Sequence, residues 1–101
     1  MVNTIMLIGR IVSDLEINET ENNRKIINIT IAVSRNYKNE SGEYDIDFIP
    51  VKLFDSIAEN TKEYCKKGDL VGVKGRIERL ANEELTIVVE KISFLSTKKE
   101  D

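Results

Sequence analysis

Phe48, Lys52 and Phe54 alternate with the apolar residues Ile49, Val51 and Leu53. An extended strand sends successive side chains to opposite faces, so the rings and the ammonium share one face while the aliphatic residues share the other. A single sheet that buries the aliphatic face leaves the rings in water, and surface rings need a partner. Two rings flanking a cation suit a ligand made of flat π surfaces joined by anions, which is what unpaired nucleobases on a phosphate backbone present. Stacking of this kind tolerates any sequence, because every base has a π face, and contributes ~1–3 kcal/mol per base. The competing reading is that one of the rings packs under a helix or in a subunit contact, since lone aromatics serve cores more often than platforms.

Arg10, Lys67, Lys74 and Arg76 fall in or beside neighbouring elements that could border the same face. Phosphate contacts from such residues release counterions and make affinity fall with salt. For each the alternative is a solvated surface charge, and for Lys74 alone that alternative is preferred. With 15 Lys and Arg against 18 Asp and Glu the net charge is −3, so a nucleic-acid site must be a local patch rather than the whole surface.

Catalytic chemistry has little to draw on. The chain has no His, the commonest general base, and no GxSxG, Gly-rich phosphate loop, HExxH or CxxC. Asp45 and Asp47 share one face and, with Asp55, are the nearest approach to a Mg²⁺ site. Without a further ligand or a nucleophile they read as hairpin-surface charges. The lone Cys65 cannot form an internal disulfide or a soft-metal cluster, which fits a reducing cytoplasm. The expectation is a soluble, unprocessed cytoplasmic protein that is not an enzyme, with no metal, no cofactor and no membrane association.

The elements that position these residues are mostly strands. Thr4–Val12 is a β-branched run with a bend or bulge at Gly9, and Glu19–Lys25 reads as a loop. Ile27, Ile29, Ile31 and Val33 mark the inward parity of a second strand. Asn39–Gly42 turns it back as a hairpin, with Tyr37 and Tyr44 flanking the tip. Pro50 lacks a ladder donor and points to an edge or an irregularity in the following strand. Ser56 and Glu59 have capping-box spacing, and Ile57, Thr61, Tyr64 and Cys65 recur at helical spacing up to Lys66-Lys67-Gly68. Tyr64 and Cys65 are expected in the core.

Leu70–Leu80 alternates again, with Val71, Val73 and Ile77 inward, Lys74 and Arg76 outward, and bend points at Gly72 and Gly75. A tight connection at Ala81–Glu84 leads to a last strand over Leu85–Leu95. This order matches an all-β fold, a five-stranded OB-fold Greek-key barrel with one short α-helix between strands 3 and 4. The barrel would span residues 1–96 as one domain, with a short polar tail at 97–101. Both parities of the first strand are apolar, which one barrel cannot easily bury. Ile5, Met6, Leu7 and Ile8 are therefore expected at a subunit interface, unless a loop or the helix covers the second face.

Several segments together resemble the bacterial single-stranded DNA-binding proteins: Asn3–Arg10, Ile29–Arg35, Asp47-Phe-Ile49, Ala58-Glu-Asn60 and Tyr64–Arg76. The likeness runs from about Val2 to Leu95. It implies an OB fold, cooperative and sequence-tolerant binding to single strands during replication, recombination and repair, and a homotetramer or dimer in which the first strand pairs with its copy. It also implies base stacking at Tyr37, Phe48 and Phe54. The chain departs from the family where a long basic, aromatic hairpin normally joins the last two strands, since only Arg79–Leu85 stands there. A smaller site and weaker binding are expected. The family's acidic, hydrophobic C-terminal tip, which recruits replication and repair enzymes, is also missing. Recruitment by that route is not expected, whether the sequence is a core cut from a longer protein or a naturally short version. The net acidity and the short hairpin support a second reading, an oligomeric OB-fold interaction module like a primosomal accessory protein, with weak DNA affinity.

Overall fold

The computed structural model describes residues 1–96; the expected tail at 97–101 lies outside them. Seven elements follow in order: β1 (Ile5–Ile11), β2 (Asn18–Glu19), β3 (Lys25–Lys38), β4 (Tyr44–Phe54), α1 (Asp55–Tyr64), β5 (Leu70–Arg79) and β6 (Leu85–Ser96). Five strands pair in a ring, β1 with β5, β5 with β6, β6 with β4, β4 with β3, and β3 with β1. The result is the expected OB-fold barrel with its helix between the third and fourth strands of the ring. All pairings are antiparallel except β4 with β6, where Val51 pairs with Ile87 and Lys52 with Val88. The two-residue β2 overlaps the expected loop only at Glu19 and pairs with the start of β3. Among the described residues no helix is long and apolar enough to cross a membrane.

The alternation in β3 and β4 is realised as expected. Ile27, Ile29, Ile31, Val51 and Leu53 are fully buried, joined by Ile11 from β1 and Val71 from β5. Pro50 pairs with Thr30. Thr30 takes its own bonds elsewhere, its amide to Ser13 Oγ at 2.8 Å and its carbonyl from the Val12 amide at 3.0 Å. The Thr30–Pro50 pair thus exchanges no ladder bonds, and β4 meets β6 only beyond Pro50, so the missing proline donor leaves no gap.

Two glycines allow the strands to cross. A Cβ at Gly9 would lie 2.3 Å from the Ala32 carbonyl oxygen, and one at Gly75 would lie 2.2 Å from that of Val88. Gly72 is not such a point, because a Cβ there would find its nearest neighbour at 3.6 Å.

The helix differs from expectation at both ends. It starts at Asp55, which has a φ of +52°, and Phe54 precedes it without a side-chain cap. Ser56 is already helical, so the capping box does not form; Glu59 instead accepts from Lys25 Nζ at 2.9 Å. The last helical residue is Tyr64, short of the Lys66–Gly68 end expected from the sequence, and the Cys65 amide donates to Thr61 O at 3.0 Å. Ala58, Thr61 and Cys65 form the buried arc, and the Thr61 hydroxyl donates to Ile57 O at 2.7 Å. Tyr64 sits at the margin of that arc, so it is exposed rather than core, its ring 6.4 Å from that of Phe94. Ile77 is likewise exposed, because β5 and β6 run on past the barrel, pairing as far as Arg79 with Leu85.

Candidate nucleic-acid interface

The outward side of β4 carries Phe48, Lys52 and Phe54 on one parity, as the sequence implies. Register places each in a row with residues of other strands. Phe48 pairs with Ala32 of β3, which pairs in turn with Arg10 of β1. Phe48 is 64 % exposed. Arg10 donates to the Gly68 carbonyl at 3.1 Å, which brings it to the turn that also carries the exposed Lys67.

The second row runs across four strands: Asn28, Lys52, Val88 and Arg76. Lys52 Nζ donates to Asn28 Oδ1 at 3.1 Å. Val88 points outward but is buried, because it forms the floor between Lys52 and Arg76. Phe54 lies beside this row and is half-buried, its ring covered by the Arg24 guanidinium with Cζ 4.4 Å from the centroid. A groove of about 580 Å³ opens here. A cation over a ring face is attracted by the ring quadrupole, so Arg24 both orders Phe54 and adds a charge beside it.

Not every cation is free to meet an anion. Arg76 Nε donates to Glu78 Oε2 at 2.8 Å and its Nη1 to Glu90 Oε2 at 3.4 Å, and these bonds raise the guanidinium pKa above its ordinary value. Arg24 Nη2 donates to Asp55 Oδ2 at 2.9 Å.

The remaining sequence-derived residues lie apart. Tyr37 is exposed near the hairpin tip on the side that continues the core-facing parity. Arg35 makes two 3.0 Å bonds to Asp47 and a 3.3 Å bond to the Tyr37 hydroxyl. Tyr44 and Ile46 instead alternate with Phe48 on the outward side, and Lys38 Nζ stands 5.8 Å from the Tyr44 ring centroid. Lys74 is outward but pairs with Met6 on one side and Lys91 on the other, away from β4. In β1, Met6 and Ile8 are strongly exposed, whereas Ile5 and Leu7 are half-buried and Leu7 packs on the core.

Arg24, Glu78, Glu90 and Tyr44 were missed from the sequence. Alternation two residues beyond Arg76 and four before Phe48 could have found Glu78 and Tyr44. Glu90 stands two residues beyond Val88 on the same outward parity, whereas Arg24 is placed by a tight turn, with the Thr20 amide bonded to Arg24 O at 2.8 Å, which periodicity does not reveal.

A model of the single-strand binding protein family matches residues 2–95. The chain belongs to this family. Among its relatives, single-stranded DNA-binding protein 1 of Clostridium acetobutylicum is 42 % identical over 98 % of this chain and 98 % of its own. Single-stranded DNA-binding protein B of Bacillus subtilis is 44 % identical over 77 % of this chain and 69 % of its own. The fold matches the mitochondrial single-stranded DNA-binding protein Rim1 of Saccharomyces cerevisiae with a TM-score of 0.80, at 22 % identity, covering 96 % of this chain and 97 % of that one.

Proposed function

We propose that this member of the single-strand binding protein family is a non-enzymatic cytoplasmic protein that binds single-stranded DNA without sequence specificity and protects it during replication, recombination and repair. The observation that carries the reading is the outward side of β4, where the exposed Phe48 shares a row with Arg10, and Lys52 shares one with Arg76 beside Phe54. Bases stack on Phe48 and Phe54, and Arg10, Lys52, Lys67 and Arg76 contact phosphate. Tyr37 and Lys74 contribute where the strand leaves this face. The protein assembles as a homotetramer, or a dimer, through β1. Met6 and Ile8 are exposed, and among the described residues Ile5 to Gly9 have a ladder partner on one side only, in β5.

Titration with oligo-dT of increasing length, read by tyrosine emission and light scattering, tests the binding and the assembly together. The chain has no Trp, so quenching reports on its three Tyr. Phe48→Ala and Phe54→Ala should each weaken binding by ~1–3 kcal/mol. Unchanged affinity in both variants would remove the stacking role, and no binding at low salt would remove the function. The internal pairing of Arg24, Arg35 and Arg76 with carboxylates favours the second reading, an oligomeric module of marginal DNA affinity. A stable oligomer that binds long oligo-dT only weakly would select it.

A further inference from the structure

We infer that Asp55, Glu78 and Glu90 set the affinity and strand selectivity of the groove beside β4 by competing with phosphate for its arginines. The inference rests on the single-strand reading above. The charged lining of the groove is Arg24, Lys52 and Arg76 against Asp55, Glu78 and Glu90, so cations and carboxylates balance. Arg76 is held from two strands, by Glu78 of β5 and Glu90 of β6, and Arg24 is held by Asp55 at the start of α1.

A phosphate entering this groove must displace a carboxylate from a guanidinium or lie beside it. Displacement trades one ion pair for another and leaves a carboxylate facing the incoming anion. Phosphate contacts then add little, and stacking carries the binding. That difference separates two kinds of DNA. A single strand offers base faces to Phe48 and Phe54, while a duplex keeps its bases stacked inside and offers the groove phosphate alone. Neutrality therefore costs the duplex most of its attraction and the single strand only part.

Glu78→Gln, Glu90→Gln and the double variant keep side-chain shape and hydrogen-bonding capacity while removing charge. Their binding to oligo-dT and to a duplex of equal length, followed by anisotropy across a salt series, tests the inference. The double variant should bind oligo-dT about fivefold to tenfold tighter at low salt, built from exposed pairs that each contribute a few-fold. Its log–log salt slope should steepen by about 0.7 for one added phosphate contact. The relative gain should be larger on duplex. Arg76→Ala should weaken oligo-dT binding several-fold more in the double variant than in the wild type, and that difference measures the coupling directly. Wild-type binding to oligo-dT with no change of affinity or slope in the double variant would overturn this inference and leave the single-strand reading standing. A duplex gain no larger than the oligo-dT gain would overturn the selectivity. Absence of binding by both proteins would overturn both conclusions, and matching thermal melts confirm that the variants fold.

Discussion

Gly75→Ala should be among the most damaging small substitutions in this chain, although it adds one methyl group. The new Cβ would lie 2.2 Å from the Val88 carbonyl oxygen, 3.0 Å from the Val88 carbonyl carbon and 3.2 Å from the Val89 Cα. Ordinary contact begins near 3.4 Å, so β6 must retreat by about 1 Å. All three atoms are backbone, and no rotamer change can relieve them. Overpacking of a well-packed interior costs ~1–3 kcal/mol, and a clash with main chain belongs at or above the upper end. A loss of about 3 kcal/mol corresponds to a fall of roughly 12–24 °C in Tm for a domain of this size. Gly72→Ala on the same strand is the control, since its Cβ would find Leu95 Cδ1 at 3.6 Å and Ile8 Cγ1 at 3.8 Å. That change should lie within about 1 kcal/mol of wild type, because reduced freedom of the unfolded chain offsets small losses. Urea unfolding at matched protein concentration, with the slope checked for constancy, compares them. If the two variants unfold within 1 kcal/mol of each other, β6 can yield at Val88 and the close crossing is not a constraint.

Two further outcomes concern titration. The Arg35 guanidinium holds the Asp47 carboxyl below its ordinary value of 3.8, chiefly through hydrogen bonding. A depressed carboxylate pKa contributes order that is present above the ordinary value and lost as pH falls through the lower folded value. Tyr37, bonded to the same Arg35, should therefore show NMR shifts moving toward solvent-averaged values in strong acid, and Asp47→Asn should reproduce the change at neutral pH. If that variant leaves the Tyr37 signals unmoved, Asp47 does not position the ring. Burial, aided by the charge of Asp69, pushes the Cys65 thiol up from 9.0 to about 11. A raised folded pKa gives stability that is present below 9.0 and lost as pH rises toward 11. Thiol labelling near pH 8 should be slow in the native protein and fast in urea; rapid native labelling would contradict the burial.

The aliphatic parities of β3 and β4 were legible because each strand has one dry and one wet face, and their register is fixed by burial alone. The outward position of Phe48 and Phe54 follows from the same alternation. What alternation cannot supply is which residues from other strands stand beside them. The Lys52–Val88–Arg76 row exists only because β4 and β6 meet in parallel, a pairing between strands separated by the helix and β5. The bulge at Glu90 reverses the parity of β6, so that Val89 and Ile92, three residues apart, both face the core, which no period-two reading supplies. Tyr64 was misplaced for a different reason. Helical spacing puts Ile57, Thr61 and Tyr64 on one stripe, but the buried arc is centred on Ala58, Thr61 and Cys65.

Closure of the barrel and construction of the groove depend on the same contact. The residue pairs that join β4 to β6 put Lys52 beside Val88, and β5 then brings Arg76 to the other side of that floor. The β5–β6 connection cannot extend the groove further, because it turns back within Leu80–Glu84 and Arg79 is spent on Glu83 at 2.7 Å. Leu80 reaches the rim, but no ring or free guanidinium does so from this arm. The remaining direction is along β4 itself. Phe54 and Phe48 are about 20 Å apart at ~3.3 Å per residue of strand, close to the length of six stacked nucleotides at ~3.4 Å each. Binding along that line predicts a site of about six nucleotides per protomer, near the lower end of the roughly 4–16 found for single OB folds. In the oligo-dT titration, affinity should level off soon after that length. A continued rise well beyond it would place the rest of the strand over Arg10 and Lys67 toward Lys74, and would make β4 the beginning of the path rather than the whole of it.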